Sequence, residues 1–207
     1  MDTEEQQVEQ IKAFWKEHGK GIVAGLVIGF ALFYGWRYYD AQTLAKQEAQ
    51  SEQYEQVAAQ LEANGAEALD SAKSFVSEAS GSTYATLAAF EVARKAAEAG
   101  DLAAAITALE GAQSSAEGAL KHVASLRLAR LQMAQENYPA ALTALEQVAQ
   151  VEGFKAKAAE LRGDVLMAQG DAAGARQAYE SAIAAATEAG VPTVLVETKL
   201  NSIPAAS

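Results

Sequence analysis

Sixteen consecutive residues, Gly21 to Trp36 (GIVAGLVIGFALFYGW), carry no charge, and this run constrains the chain more than any other feature. As a helix it rises about 24 Å, a little less than the roughly 30 Å hydrocarbon core of a bilayer. The flanks make up the difference. Lys20 and Arg37 have stems that lie in lipid while their charges reach water. Phe14 and Trp15 on one side, with Trp36, Tyr38 and Tyr39 on the other, suit two interfacial belts. The strongly apolar members (Ile22, Val23, Leu26, Val27, Ile28, Phe30, Leu32 and Phe33) together favour insertion by roughly 2.5–5 kcal/mol. A soluble core helix would keep a polar face for water, and this run has none. A cleaved signal peptide would open on basic residues, whereas Met1 to Glu9 holds four acids and no base. No small-x-small cleavage site follows Trp36. The expectation is an uncleaved transmembrane helix over 21–39, after an N-terminal segment over 1–20.

Orientation follows the Lys/Arg count at each end of the span. Lys12, Lys16 and Lys20 precede it, and Arg37 and Lys46 follow. That places the N-terminus in the cytoplasm and the bulk of the chain outside. Gly21, Gly25 and Gly29 recur every fourth residue, so one face of the span is expected to admit another helix closely. The competing reading is that glycine is simply common in membrane helices.

Beyond the span the signals are all helical. Alanine, the best intrinsic helix former, dominates, and there are only three prolines. A helical stripe of Leu44, Tyr54, Val57, Ala58 and Leu61 continues to Asn64-Gly65 with nothing to break it. A second helix is expected over 66–79, then a Ser80-Gly81-Ser82 loop that ends on an N-cap. From there the chain repeats. Turn positions Gly100, Glu136 and Gly170 lie 36 and 34 residues apart. Alanine stands five residues past each turn (Ala105, Ala141, Ala175), and a large residue four further on (Leu109, Leu145, Tyr179). Ala112, Val148 and Ala182 follow after three more, and Ala93, Ala129 or Gly163 sits seven before each turn. Antiparallel helices touch where both surfaces are small, and a large residue plugs the next gap. Period and columns are those of the tetratricopeptide repeat, without its usual tryptophan.

The fold class is therefore all-α: a single transmembrane helix, then a tetratricopeptide-like solenoid of helical hairpins. The expected segments are a linker helix with a degenerate first repeat over 40–79, clear repeats over 80–190, and a C-terminal cap over 191–207. The cap is read as a short helix started by Pro192, with a strand as the alternative.

Chemistry is not indicated. The chain has no cysteine and a formal net charge of -11, which excludes thiolate sites and argues against a nucleic-acid partner. His18 and His122 are a hundred residues apart, and no nucleotide-loop, zinc-helix or nucleophile-elbow motif occurs. No enzyme activity, cofactor or metal is expected. A binding surface is expected instead. The first helix of each hairpin lines the concave groove, and the repeat register projects Phe90, Arg94, Leu126, Arg130, Met133, Glu160, Asp164 and Met167 onto it. Arg94 and Arg130 would hold carboxylates of an acidic or extended partner, over an adaptable methionine floor. The alternative has the arginines pair with acids of the domain itself and the methionines fill core gaps.

The opening EQQVEQIKAFWKEHGK at 5–20, the glycine-lined span, the WRYY exit at 36–39 and the alanine-rich repeats resemble the YfgM family of bacterial inner-membrane proteins. The resemblance covers nearly the whole chain. It implies a single-pass inner-membrane protein with periplasmic repeats, ancillary to the Sec translocon. It also implies a membrane-anchored periplasmic chaperone of the prolyl-isomerase type as partner, with exported polypeptides as further candidates. It brings no catalytic residues. The second reading is a scaffold that self-associates into homo-oligomers through the glycine face.

Overall fold

A computed structural model describes residues 4–204, with side chains from Gln7 onward. The elements are α1 (Glu4–Asn64), a 3₁₀ turn (Gly65–Ala68), α2 (Leu69–Glu78), α3 (Thr83–Glu98), α4 (Leu102–Ser115), α5 (Gly118–Ala134), α6 (Tyr138–Glu146), α7 (Lys155–Ala168), α8 (Ala172–Glu188) and α9 (Val194–Asn201). No strand occurs among the described residues. The chain divides into two compact units, Met1–Gln50 and Ser51–Ser207.

The first unit holds most of α1 and has almost no core. Val23, Leu26, Val27, Ile28, Phe30, Leu32 and Phe33 are all at least half exposed. By length and composition this helix can cross a membrane. A Cβ added at Gly21, Gly25 or Gly29 would meet nothing within 4 Å, so the glycine face is open.

The second unit is built from one turn used repeatedly. Where α3 ends, Gly100 adopts a left-handed φ of 83°. Its N–H donates to the Ala97 carbonyl, and the Asp101 N–H donates to the Ala96 carbonyl. This is the double bond of a Schellman ending. Asp101 then starts α4, its carboxylate accepting from the Ala104 N–H at 2.9 Å. The same solution joins α5 to α6 through Glu136 and Asn137, and α7 to α8 through Gly170 and Asp171. Pro139 falls in the first turn of α6, where its missing N–H costs nothing.

These turns bring the small columns together. Ala93, Ala105, Ala112, Ala129, Ala141 and Ala175 are buried, with Leu109, Leu145 and Tyr179 between them. The core runs through the stack. Val57 and Leu61 from the last turns of α1 pack with Ala72 and Phe75 of α2 and Ala88 and Val92 of α3. A central cluster links α3 to α7. A terminal one seats Val196 and Ile203 against Ala175, Tyr179 and Ala182.

The helix expected to end at Asn64-Gly65 does so, with Gly65 at φ 57°. The next helix starts with a 3₁₀ turn in place of regular α geometry. The Ser82 hydroxyl caps α3 by accepting from the Ala85 N–H. Val148 is fully buried, yet α6 has already ended at Glu146, so this column position is filled from a turn. The C-terminal stretch is helical, not extended. Its inner face, Val196 and Leu200, has apolar partners on α8 at helical spacing.

Candidate functional site

The projected residues lie on the first helices of three successive hairpins. Phe90 and Arg94 belong to α3, Leu126, Arg130 and Met133 to α5, and Glu160, Asp164 and Met167 to α7. The structure sorts them into four groups with different chemistry.

The apolar ones are floor, not free surface. Phe90 and Leu126 are buried in the central cluster, with Met133 packed beside them. Met167 packs against the terminal cluster.

Arg94 is enclosed by acids. Its guanidinium meets Glu91 and Glu98 on its own helix, at 2.6 and 2.8 Å, and Glu62 at the end of α1. Glu62 and Glu98 are held below the ordinary carboxylate range, in each case chiefly by a hydrogen bond from Arg94. This guanidinium is already satisfied by the domain, which is the alternative weighed for it above.

Glu160 and Asp164 are occupied as well, by a residue the repeat register did not point to. Lys199 of α9 places its ammonium 2.7 Å from Glu160 Oε1 and 2.8 Å from each Asp164 oxygen. Lys157 closes on the other Glu160 oxygen at 2.5 Å, and the Tyr179 hydroxyl donates to Asp164 at 2.8 Å. Burial pushes Glu160 up, but the hydrogen bonds from Lys157 and Lys199 outweigh it and hold the carboxyl below its ordinary value. Burial likewise opposes the charge on Lys199, and the two carboxylates overcome it and raise its pKa. Thirty-five residues separate Lys199 from Asp164, so no local spacing signalled this lock.

That leaves α5. Arg130 is exposed and meets no carboxylate among the described residues. Arg127, one position past the projected Leu126, lies over the Phe90 ring with its guanidinium carbon 4.4 Å from the ring centre. It too meets no carboxylate among the described residues. The sequence signal for this site was available: α5 contains Lys121, Arg127 and Arg130 and no acidic residue. The cleft between α6, α7 and α8, about 580 Å³, is lined by Leu142, Leu145, Arg162 and Gln177 among others and brings no reactive set together. No group of three metal-ligating side chains occurs among the described residues. His18 and His122 rest instead against Phe14 and Phe154.

Comparison with known proteins agrees with this architecture. The tetratricopeptide repeat-like domain family matches residues 12–205. An ancillary SecYEG translocon subunit of Escherichia coli (strain K12) is 32% identical over 183 residues, covering 88% of each chain. Its Haemophilus influenzae namesake is 32% identical over 180 residues, covering 86% of this chain and 88% of that one. That of Aggregatibacter actinomycetemcomitans is 30% identical over 201 residues, covering 97% of each. Among solved structures, nearly identical tetratricopeptide-like repeats of a Podosopora anserina putative kinesin light chain superpose with a TM-score of 0.57 at 18% identity. They cover 72% of this chain and 82% of that one, and show the fold alone.

Proposed function

Because the chain belongs to the YfgM family, we propose that it is a membrane-anchored, non-catalytic interaction subunit ancillary to the Sec translocon. The observation that carries this reading is the joint presence, in one chain, of a span-length apolar helix and a hairpin stack, matched almost end to end by relatives named as translocon subunits. Residues 21–39 form the tether and 1–20 stay in the cytoplasm. The linker and first repeat over 40–79, the repeats over 80–190 and the cap over 191–207 lie in the periplasm. There the concave face holds a membrane-anchored chaperone of the prolyl-isomerase type, or the emerging chain, and so assists export and folding. Tethering raises effective concentration, so contacts weak in solution suffice. Placing photo-crosslinkers at the exposed positions Arg127 and Arg130 in native membranes should capture a translocon subunit or that chaperone. Capture of neither would overturn the reading. Protease added to the periplasmic side should digest the repeats and spare 1–20.

A second reading, a self-associating envelope scaffold, draws on the open face of Gly21, Gly25 and Gly29. It predicts a homo-oligomer that survives in mild detergent without other subunits.

A further inference from the structure

We propose that the centre of the repeat face, Arg127 and Arg130 on α5, is a docking site for an acidic, extended polypeptide segment. This deepens the interaction reading above and rests on it.

Charge distribution carries the argument. The chain is strongly acidic overall, at -11, yet its middle first-helix bears Lys121, Arg127 and Arg130 and no carboxylate. On the α3 side, Arg94 is neutralised by Glu62, Glu91 and Glu98. On the α7 side, Glu160 and Asp164 are neutralised by Lys157 and Lys199. In both clusters the named charges are already paired. Between them stand two guanidinium groups with no acid within ion-pair distance among the described residues, and both residues are exposed.

Geometry makes the pair usable. The Arg127 guanidinium carbon sits over the Phe90 ring, 4.4 Å from its centre, a contact that restrains the side chain before any ligand arrives. A guanidinium restrained in this way can take a carboxylate through two parallel hydrogen bonds. Arg130 lies one helical turn on, about 5–6 Å away at the Cβ atoms. In an extended segment, side chains two residues apart point the same way and are separated by about 6.6 Å. Glutamates or aspartates at alternate positions therefore meet both arginines. Nucleic acid fits less well, because two or three cations cannot offset the repulsion between a polyphosphate and so acidic a chain.

The test uses the full chain in a neutral detergent and a fluorescent peptide alternating glutamate and alanine. Anisotropy should report saturable binding that weakens as ionic strength rises from about 0.05 to 0.3 M. The same peptide with glutamine in place of glutamate should not bind. The double variant Arg127→Gln/Arg130→Gln should lose about tenfold or more in affinity, the worth of one to two charge-assisted hydrogen bonds, with its helical circular-dichroism spectrum unchanged. Arg127→Lys should fall between, since it keeps the charge and loses the planar fork. The double variant Lys46→Gln/Lys73→Gln, an equal change in net charge on α1 and α2, should bind as the unaltered chain does. Equal binding of the glutamine peptide, or full affinity in the double variant, would overturn the inference. So would tighter binding of a single-stranded oligonucleotide. If the acidic peptide fails to bind while translocon subunits still co-purify, the docking inference alone falls. If the translocon subunits are absent, the reading beneath it falls.

Discussion

At the scale of single residues, the stack depends on compensations between neighbours. Where the other repeats place Ala93 or Ala129 against a leucine, the third places Gly163 against Tyr179. A Cβ on Gly163 would lie 2.5 Å from Cδ1 of the Tyr179 ring. Gly163→Ala should therefore destabilise the repeats by about 1–3 kcal/mol, the range for overpacking, in chemical denaturation. Adding Tyr179→Leu, the residue type of the other two repeats, should recover part of the loss. No recovery would show that the two positions are not coupled. Glu136 is the complementary case. It stands at φ 61°, where the equivalent turns have Gly100 and Gly170. Glu136→Gly should stabilise by about 1 kcal/mol, because a side chain is strained in the left-handed region and glycine is not. These columns were legible in the sequence because each is set by contacts that recur with the repeat. The partner of Glu160 was not, because its ion pair spans 39 residues and depends on where α9 docks. Arg127 was missed for a different reason. The register aimed at Leu126, and the cation that shields the Phe90 ring stands one residue beyond it.

At the scale of elements, α9 is held by two kinds of force. Val196 and Ile203 enter the terminal cluster, and Lys199 joins Glu160 and Asp164. Removing the ammonium leaves two carboxylates short of a partner. Lys199→Met should cost about 2 kcal/mol, less than a fully buried pair because Lys199 keeps 29% exposure and Glu160 retains Lys157. The pH dependence follows from the directions of the shifts. Glu160 has its folded value below 4.5, so its stabilisation is present above 4.5 and is lost as pH falls through the folded value. Lys199 has its folded value above 10.5, so its stabilisation is complete below 10.5 and is lost as pH rises through the folded value. The stability difference between the unaltered chain and Lys199→Met should therefore be flat across neutral pH and shrink at both extremes. A difference that grows on acidification would contradict the assignment. The turn elements were foreseeable from Gly-Asp and Glu-Asn pairs at fixed spacing. The early end of α6 at Glu146 was not, because Val148 still occupies its place in the column.

At the scale of the whole molecule, the proposed account has the apolar helix supply position and the repeats supply contact. The span was legible because sixteen uncharged residues leave a chain few alternatives in water. The face of Gly21, Gly25 and Gly29 is open in the structure, so a neighbouring helix can approach its backbone. Replacing all three by leucine should reduce the recovery of membrane partners while leaving the repeats folded. Unchanged recovery would remove the glycine face from the account. The central claim is that this tethered stack works beside the export channel. Its most direct test is mass spectrometry of the proteins that co-purify with the tagged full chain from gently solubilised membranes. The account predicts that channel subunits of the Sec translocon are recovered in amounts comparable to the chain itself. Recovery of the chain alone, as a monomer or a homo-oligomer, would contradict it.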